Sequence, residues 1–188
     1  MKVLFIDACI SVHQPSRTRY LCNRYLDKMK AEGHIIEHVD LTKCDISSLT
    51  ATDILKRDQL LTKGDYDDAM FDLARQFRDA ERIVIGAPFW DLSFPAVLKQ
   101  YIENIMVTGI TFRYGEHGIP AGLCNADKVV YIMAAGGPVH GFNFGYDYVK
   151  TVFTKMLGIK ESQLICAEGL DVFGADVESI LQEACKDI

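Results

Sequence analysis

The chain has 188 residues, 49% of them hydrophobic and 24% charged, which suits one soluble domain, 1–188, with a substantial core. Asp and Glu outnumber Lys and Arg by 26 to 20, a formal charge of -6, which disfavours a nucleic-acid partner that needs a positive field but leaves room for local arginines on a phosphate. No apolar run reaches the roughly 18 residues of a membrane span, the start MKVLFIDACI turns polar too soon for a signal peptide, and the six cysteines form no CxxC pair, so a cytoplasmic protein with no membrane insertion and no metal site is expected.

Residues 3–6 read as a buried first strand, and they feed the loop SVHQPSRTR. Ser11, Ser16 and Thr18 supply hydroxyls there, Arg17 or Arg19 is a candidate for added charge, with a solvent-facing position as the alternative for Arg19, and Ser16 is a candidate N-cap for a helix beginning near Arg17. A helix start offers N–H groups without an intrahelical acceptor and the positive end of the macrodipole, so it receives an anion well. An ordinary capped helix after a polar loop explains the same residues, and this stretch alone leaves the two readings level. Neither GxGxxG nor GxxxxGK[ST] occurs, which argues against a dinucleotide crevice and a P-loop.

Residues 35–39 read as a second strand. Residues 40–63, polar with scattered leucines, are expected to form a short helix or a cover over a site. The spacing of Tyr66, Met70, Leu73 and Phe77 predicts a helix, and 82–86 a third strand. Then comes GAPFWDLSFPAVLKQYIENI, whose loop crowds Phe89, Trp90, Leu92 and Phe94 where polar residues are the usual choice. A covered hydrophobic contact accounts for them as well as a wall against a planar heterocycle does. Pro95 suits the first turn of the next helix, with Leu98, Tyr101, Ile102 and Ile105 on its apolar side. Residues 107–125, glycine-rich around Thr111, Phe112, Arg113 and Tyr114, read as an excursion rather than a linker.

Residues 128–133 form a fourth predicted strand, followed by AAGGPVHG. Ala135, Gly136 and Gly137 let backbone approach a flat ligand closely. His140 is a candidate proton donor, with a turn-stabilising or solvent-facing role as its alternative. Helices over 144–157 and 177–184 flank a weaker fifth strand at 164–167.

Strands alternating with helices predict an α/β doubly wound, five-stranded parallel sheet with helices on both faces. In the flavodoxin-like order 2-1-3-4-5, ligands sit above the carboxyl ends of strands one and three, where the winding reverses. Ser11 to Thr18 would meet Pro88, Phe89, Trp90 and Asp91 there, with residues 135–137 on the next loop. One end takes a phosphate and the other a planar ring, the shape of FMN.

These segments resemble the flavodoxin-like NAD(P)H quinone reductase family, especially its FMN-dependent NADH-azoreductase branch, from Lys2 to about Gly158. Ser11 and Ser16-Arg17-Thr18 match the family's phosphate loop, and Pro88-Phe89-Trp90-Asp91 its isoalloxazine-lining stretch. The PxxLKxYI pattern begins at Pro95, the G-x-T-F-x-Y segment runs from Gly109 to Tyr114, and the Gly-Gly loop is Gly136-Gly137. The resemblance implies ping-pong transfer of two electrons from NADH or NADPH through FMN to a quinone, azo compound or similar electron-poor aromatic. It further implies a homodimer with active sites near the interface. From the residues themselves, Trp90, Phe112, Tyr114 and His140 are candidates for an acceptor pocket, with dimer packing as the alternative for Phe112 and Tyr114. Two departures stand out. Asp91 replaces the usual asparagine, and Ala134-Ala135 replaces hydroxyl or arginine residues before the Gly-Gly pair. A flavodoxin-type electron carrier or a flavin sensor with little turnover is the alternative on the same fold.

Overall fold

The computed structural model describes residues 1–10 and 16–188. Ser11 lies outside the described residues. Five parallel strands form the central sheet: β1 (Lys2–Asp7), β2 (Ile35–Asp40), β3 (Arg82–Gly86), β6 (Lys128–Ala134) and β7 (Glu161–Ala167). Their order is β2-β1-β3-β6-β7, which is the predicted 2-1-3-4-5 once a separate antiparallel hairpin, β4 (Phe112–Tyr114) and β5 (Pro120–Gly122), is set aside.

Each central strand is apolar on both faces because helices cover both. Leu4, Ile6, Ile83, Ile85, Val129 and Tyr131 pack on one side. That side meets α4 (Ala96–Ile105) through Leu98, Tyr101, Ile102 and Ile105, α3 (Asp72–Asp79) through Phe77 and α5 (Phe144–Lys155) through Phe153. The alternate residues Val3, Phe5, Val84, Val130 and Ile132 pack against Leu21, Tyr25 and Met29 of α1 (Arg17–Ala31), with α6 (Val177–Ala184) completing that layer. This strict period of two, apolar in both phases, is what a doubly covered parallel sheet requires.

The edges differ. Ile35 of β2 is 70% exposed, and β7 opens with Glu161, Ser162 and Gln163, so its polar first half carries no apolar signal. The 40–63 segment becomes a turn and then α2 (Ala51–Lys63), started by a reciprocal Thr50–Asp53 capping box and ended by Gly64 at φ 69°. The helix predicted from Tyr66 begins only at Asp72, because the Asp68 carboxylate caps a short 3-10 turn over Ala69–Phe71 instead. Pro95 stands just before α4 rather than within its first turn. Among the described residues, no helix is long and apolar enough to cross a membrane.

Candidate active-site cleft

The carboxyl ends of β1, β3 and β6 open into one cleft of about 430 Å³, in the size range of small-molecule sites. Its first wall is the start of α1. Ser16 is the N-cap, extended at φ -70° and ψ 121°, and its hydroxyl accepts from the Arg19 N–H at 3.3 Å. Thr18 is buried beside it, and Arg17 reaches across to Asp171. The guanidinium donates at 2.7 and 3.3 Å to the two carboxylate oxygens. That hydrogen bond, and then the positive charge, hold the Asp171 carboxyl below its ordinary value.

The second wall follows β3. Ala87 donates to the Ile132 carbonyl at 3.0 Å and Phe89 to the Ala134 carbonyl at 3.2 Å, so sheet pairing carries the chain as far as the aromatic residues. Trp90 and Ser93 then exchange two backbone hydrogen bonds, at 3.1 and 2.7 Å, around a two-residue reversal. Both central residues are left-handed, Asp91 at φ 50° and Leu92 at φ 62°, a geometry usually given to Asn or Gly. The turn fixes Trp90 at the rim, 45% exposed, while Phe89 packs half-buried against the core.

The third wall is the loop after β6, zipped to the loop after β7. Ala135 donates to Ala167, Leu170 to Ala135, Asp171 to Gly136 and Gly169 to Gly137, at 2.8 to 3.2 Å. A Cβ on Gly136 would lie 2.1 Å from an Asp171 carboxylate oxygen, so a larger residue there would have to swing that side chain away from Arg17.

The cleft therefore gathers Ser16, Arg17, Thr18, Pro88, Phe89 and Trp90 with Gly136. Asp91 sits one residue beyond Trp90 at the exposed turn. Ala135 turns into the core, and Gly137 is exposed at the loop's outer side. Cys9, Ile10, Ala134 and Asp171 also line the cleft. Nothing local in the sequence marks Asp171 for this place; the backbone zipper brings it there.

Three expected pocket residues stand elsewhere in the chain's own fold. Phe112 is buried in the core and Tyr114 is exposed on the β4–β5 hairpin. The hairpin is tied to the amino end of the sheet, where Asn125 donates to Arg78 at the end of α3 and Gly122 abuts the end of α5. The reason is geometric: α4 starts at the cleft and its ten residues carry the chain back down the sheet before the hairpin begins. His140, at φ 47°, lines a separate depression with Val139, Asn143, Leu164, Cys166 and Glu168. The Glu168 carboxylate accepts from the Val139 N–H at 2.7 Å and draws that turn over β7.

The donor set can be tested against FMN. A hydroxyl, a guanidinium and a helix start cluster at one end of the cleft. Proline and aromatic surface stand at the other, and Gly136 lines the cleft with them. A phosphate and a planar ring both find matching chemistry there.

A family model described as "Flavodoxin-like fold" matches residues 1–188. An FMN-dependent NADH:quinone oxidoreductase 2 of Clostridium acetobutylicum is 41% identical over 193 residues, spanning 98% of this chain and 94% of that one. An FMN-dependent NADH:quinone oxidoreductase of Coprothermobacter proteolyticus is 37% identical over 197 residues, spanning 99% and 95%. Among solved structures, an FMN-dependent NADH-azoreductase from Bacillus anthracis in complex with FMN superposes with a TM-score of 0.84 at 27% identity, over 99% of this chain and 94% of that one. Extended identity and a family model that matches the whole chain agree: the chain belongs to the flavodoxin-like family that includes the FMN-dependent NADH:quinone oxidoreductases.

Proposed function

We propose that this protein is an FMN-dependent oxidoreductase that passes two electrons from NADH to a quinone, azo compound or similar electron-poor aromatic. The observation that carries the reading is the single cleft joining an anion-receiving helix start to an aromatic wall. When bound, FMN supplies the two-electron redox chemistry. The chain's own residues bind and orient. Ser16, Thr18 and the first N–H groups of α1 receive the phosphate, and Arg17 adds charge that it shares with Asp171. Pro88 and Phe89 wall the ring site against water, and Trp90 offers a flat apolar face to whichever aromatic partner enters. Asp91 lies at the exposed tip of the turn, where solvent screens its carboxylate from the ring site.

A ping-pong order follows from one shared slot: donor and acceptor both need the aromatic face, so the first must leave before the second enters. The rim supports a homodimer. Trp90 in the cleft wall, and Leu92, Phe142, Phe144 and Phe173 on the segments that follow β3, β6 and β7, are all large, apolar and exposed, Phe173 fully so. A second copy would cover that surface and complete the pocket.

Anaerobic steady-state oxidation of NADH with a quinone tests the reading. Turnover should require FMN and acceptor together and give parallel double-reciprocal lines. Reduction by NADH with no onward turnover to any quinone or azo compound would instead indicate an electron carrier. Trp90→Ala should raise the acceptor KM roughly tenfold, given about 1 kcal/mol of lost stacking beyond lost area. Because Trp90 is half exposed, the melting temperature should scarcely move; an equal loss of folding and acceptor binding would make it a packing residue.

A further inference from the structure

The residues that touch the cleft are held by a pair that does not touch it. Asp7, the last residue of β1, is 1% exposed, and a carboxylate so buried needs partners. Arg19 of α1 donates to it through Nη2 at 2.9 Å, and His38 of β2 places Nε2 at 3.2 Å from the same oxygen. The other Asp7 oxygen accepts from the Cys9 N–H at 3.0 Å. The Arg19 Nη2 that meets Asp7 also donates to the Cys9 carbonyl, at 3.2 Å. Both backbone polar groups of Cys9 are thus held, one by Asp7 and the other by the arginine that Asp7 anchors. Burial opposes the charge on Arg19, but Asp7, together with Cys9 and Asp40, outweighs it, and the guanidinium holds its proton more firmly than usual.

Cys9 lines the cleft at the exit of β1, and Arg19 is the residue after Thr18 and three after Ser16. The clamp therefore ties the strand exit to the helix start, the two flanks between which the phosphate is received. We propose that Asp7 and Arg19 are positioning residues for phosphate binding: they preset the spacing of those flanks, so that the phosphate does not have to order them. This deepens the FMN reading above and rests on it. Preorganisation of this kind acts on affinity for the charged group and leaves the ring's contacts alone.

The test compares FMN with riboflavin, which has the ring and ribityl chain but no phosphate, by equilibrium titration of the flavin-free full-length protein. Wild type should prefer FMN strongly. Arg19→Gln should weaken FMN roughly tenfold, the scale of one lost charge-assisted hydrogen bond, and change riboflavin by less than about twofold. Arg19→Lys, which keeps the charge for Asp7, should recover part of the loss. Asp7→Asn keeps an acceptor for Cys9 but loses the ion pair; it should act in the same direction, and in the double variant the losses should not add, because both break one clamp. Equal weakening of FMN and riboflavin, or unchanged FMN affinity in a folded Arg19→Gln protein, would overturn the clamp alone. Wild type that fails to prefer FMN over riboflavin would overturn the phosphate reading, and the clamp with it.

Discussion

Replacing Ser16 and Thr18 together with alanine is expected to weaken FMN binding by roughly a hundredfold, the equivalent of about 3 kcal/mol for two hydrogen bonds to a charged phosphate. The two hydroxyls flank the first turn of α1, where the helix already presents N–H groups and a partial positive charge. Arg17 cannot make up the loss, because its guanidinium is engaged by Asp171 at 2.7 Å. Ser16 also caps the helix, so the double variant should lose about 1 kcal/mol of stability from the cap. Titration of the flavin-free protein, with thermal unfolding as a control, separates the two effects. Full FMN affinity in the variant would show that neither hydroxyl receives the phosphate and that Ser16 only caps the helix.

The largest loss of stability is expected at the other end of the sheet. A Cβ at Gly122 would stand 2.1 Å from the Leu157 carbonyl carbon and 2.2 Å from the Gly158 nitrogen. These are backbone atoms at the end of α5, next to Gly158 at φ 80°, and they cannot swing aside as a side chain would. Gly122→Ala must push the β4–β5 hairpin off that helix, costing about 3 kcal/mol or more. For a chain of this length the melting temperature should fall by roughly 10 °C. Gly64→Ala is the control. Gly64 is left-handed at φ 69° but has nothing within 4 Å of its would-be Cβ, so only the backbone strain of about 1 kcal/mol applies. Equal melting temperatures for the two variants would contradict the close approach.

The sheet was legible because its central strands are apolar in both phases; nothing else in the chain looks like residues 3–6, 82–86 or 128–133. The polar start of β7 hid half of an edge strand for the same physical reason, since Glu161 to Gln163 meet solvent. In the cleft, the helix start and the Pro88–Phe89–Trp90 wall were readable from adjacent residues. Asp171 was not, because three backbone hydrogen bonds between separate loops place it. The aromatic character of Phe112 and Tyr114 suggested a pocket, but a segment following a crossover helix lies at the amino end of the sheet, and that rule outweighs composition. Asp7 and Arg19 gave no local sign of their pairing across twelve residues, since only the fold closes that distance.

The central claim is that FMN lies in this cleft with its ring beside the wall after β3. Trp90 is the sole tryptophan of the chain, so its fluorescence reports on that wall alone. Titration of the flavin-free protein with FMN should quench this emission almost completely, by energy transfer to the adjacent ring, and saturate at one FMN per chain. Stoichiometric FMN binding that leaves most of the Trp90 emission intact, or no saturable binding at all, would contradict it.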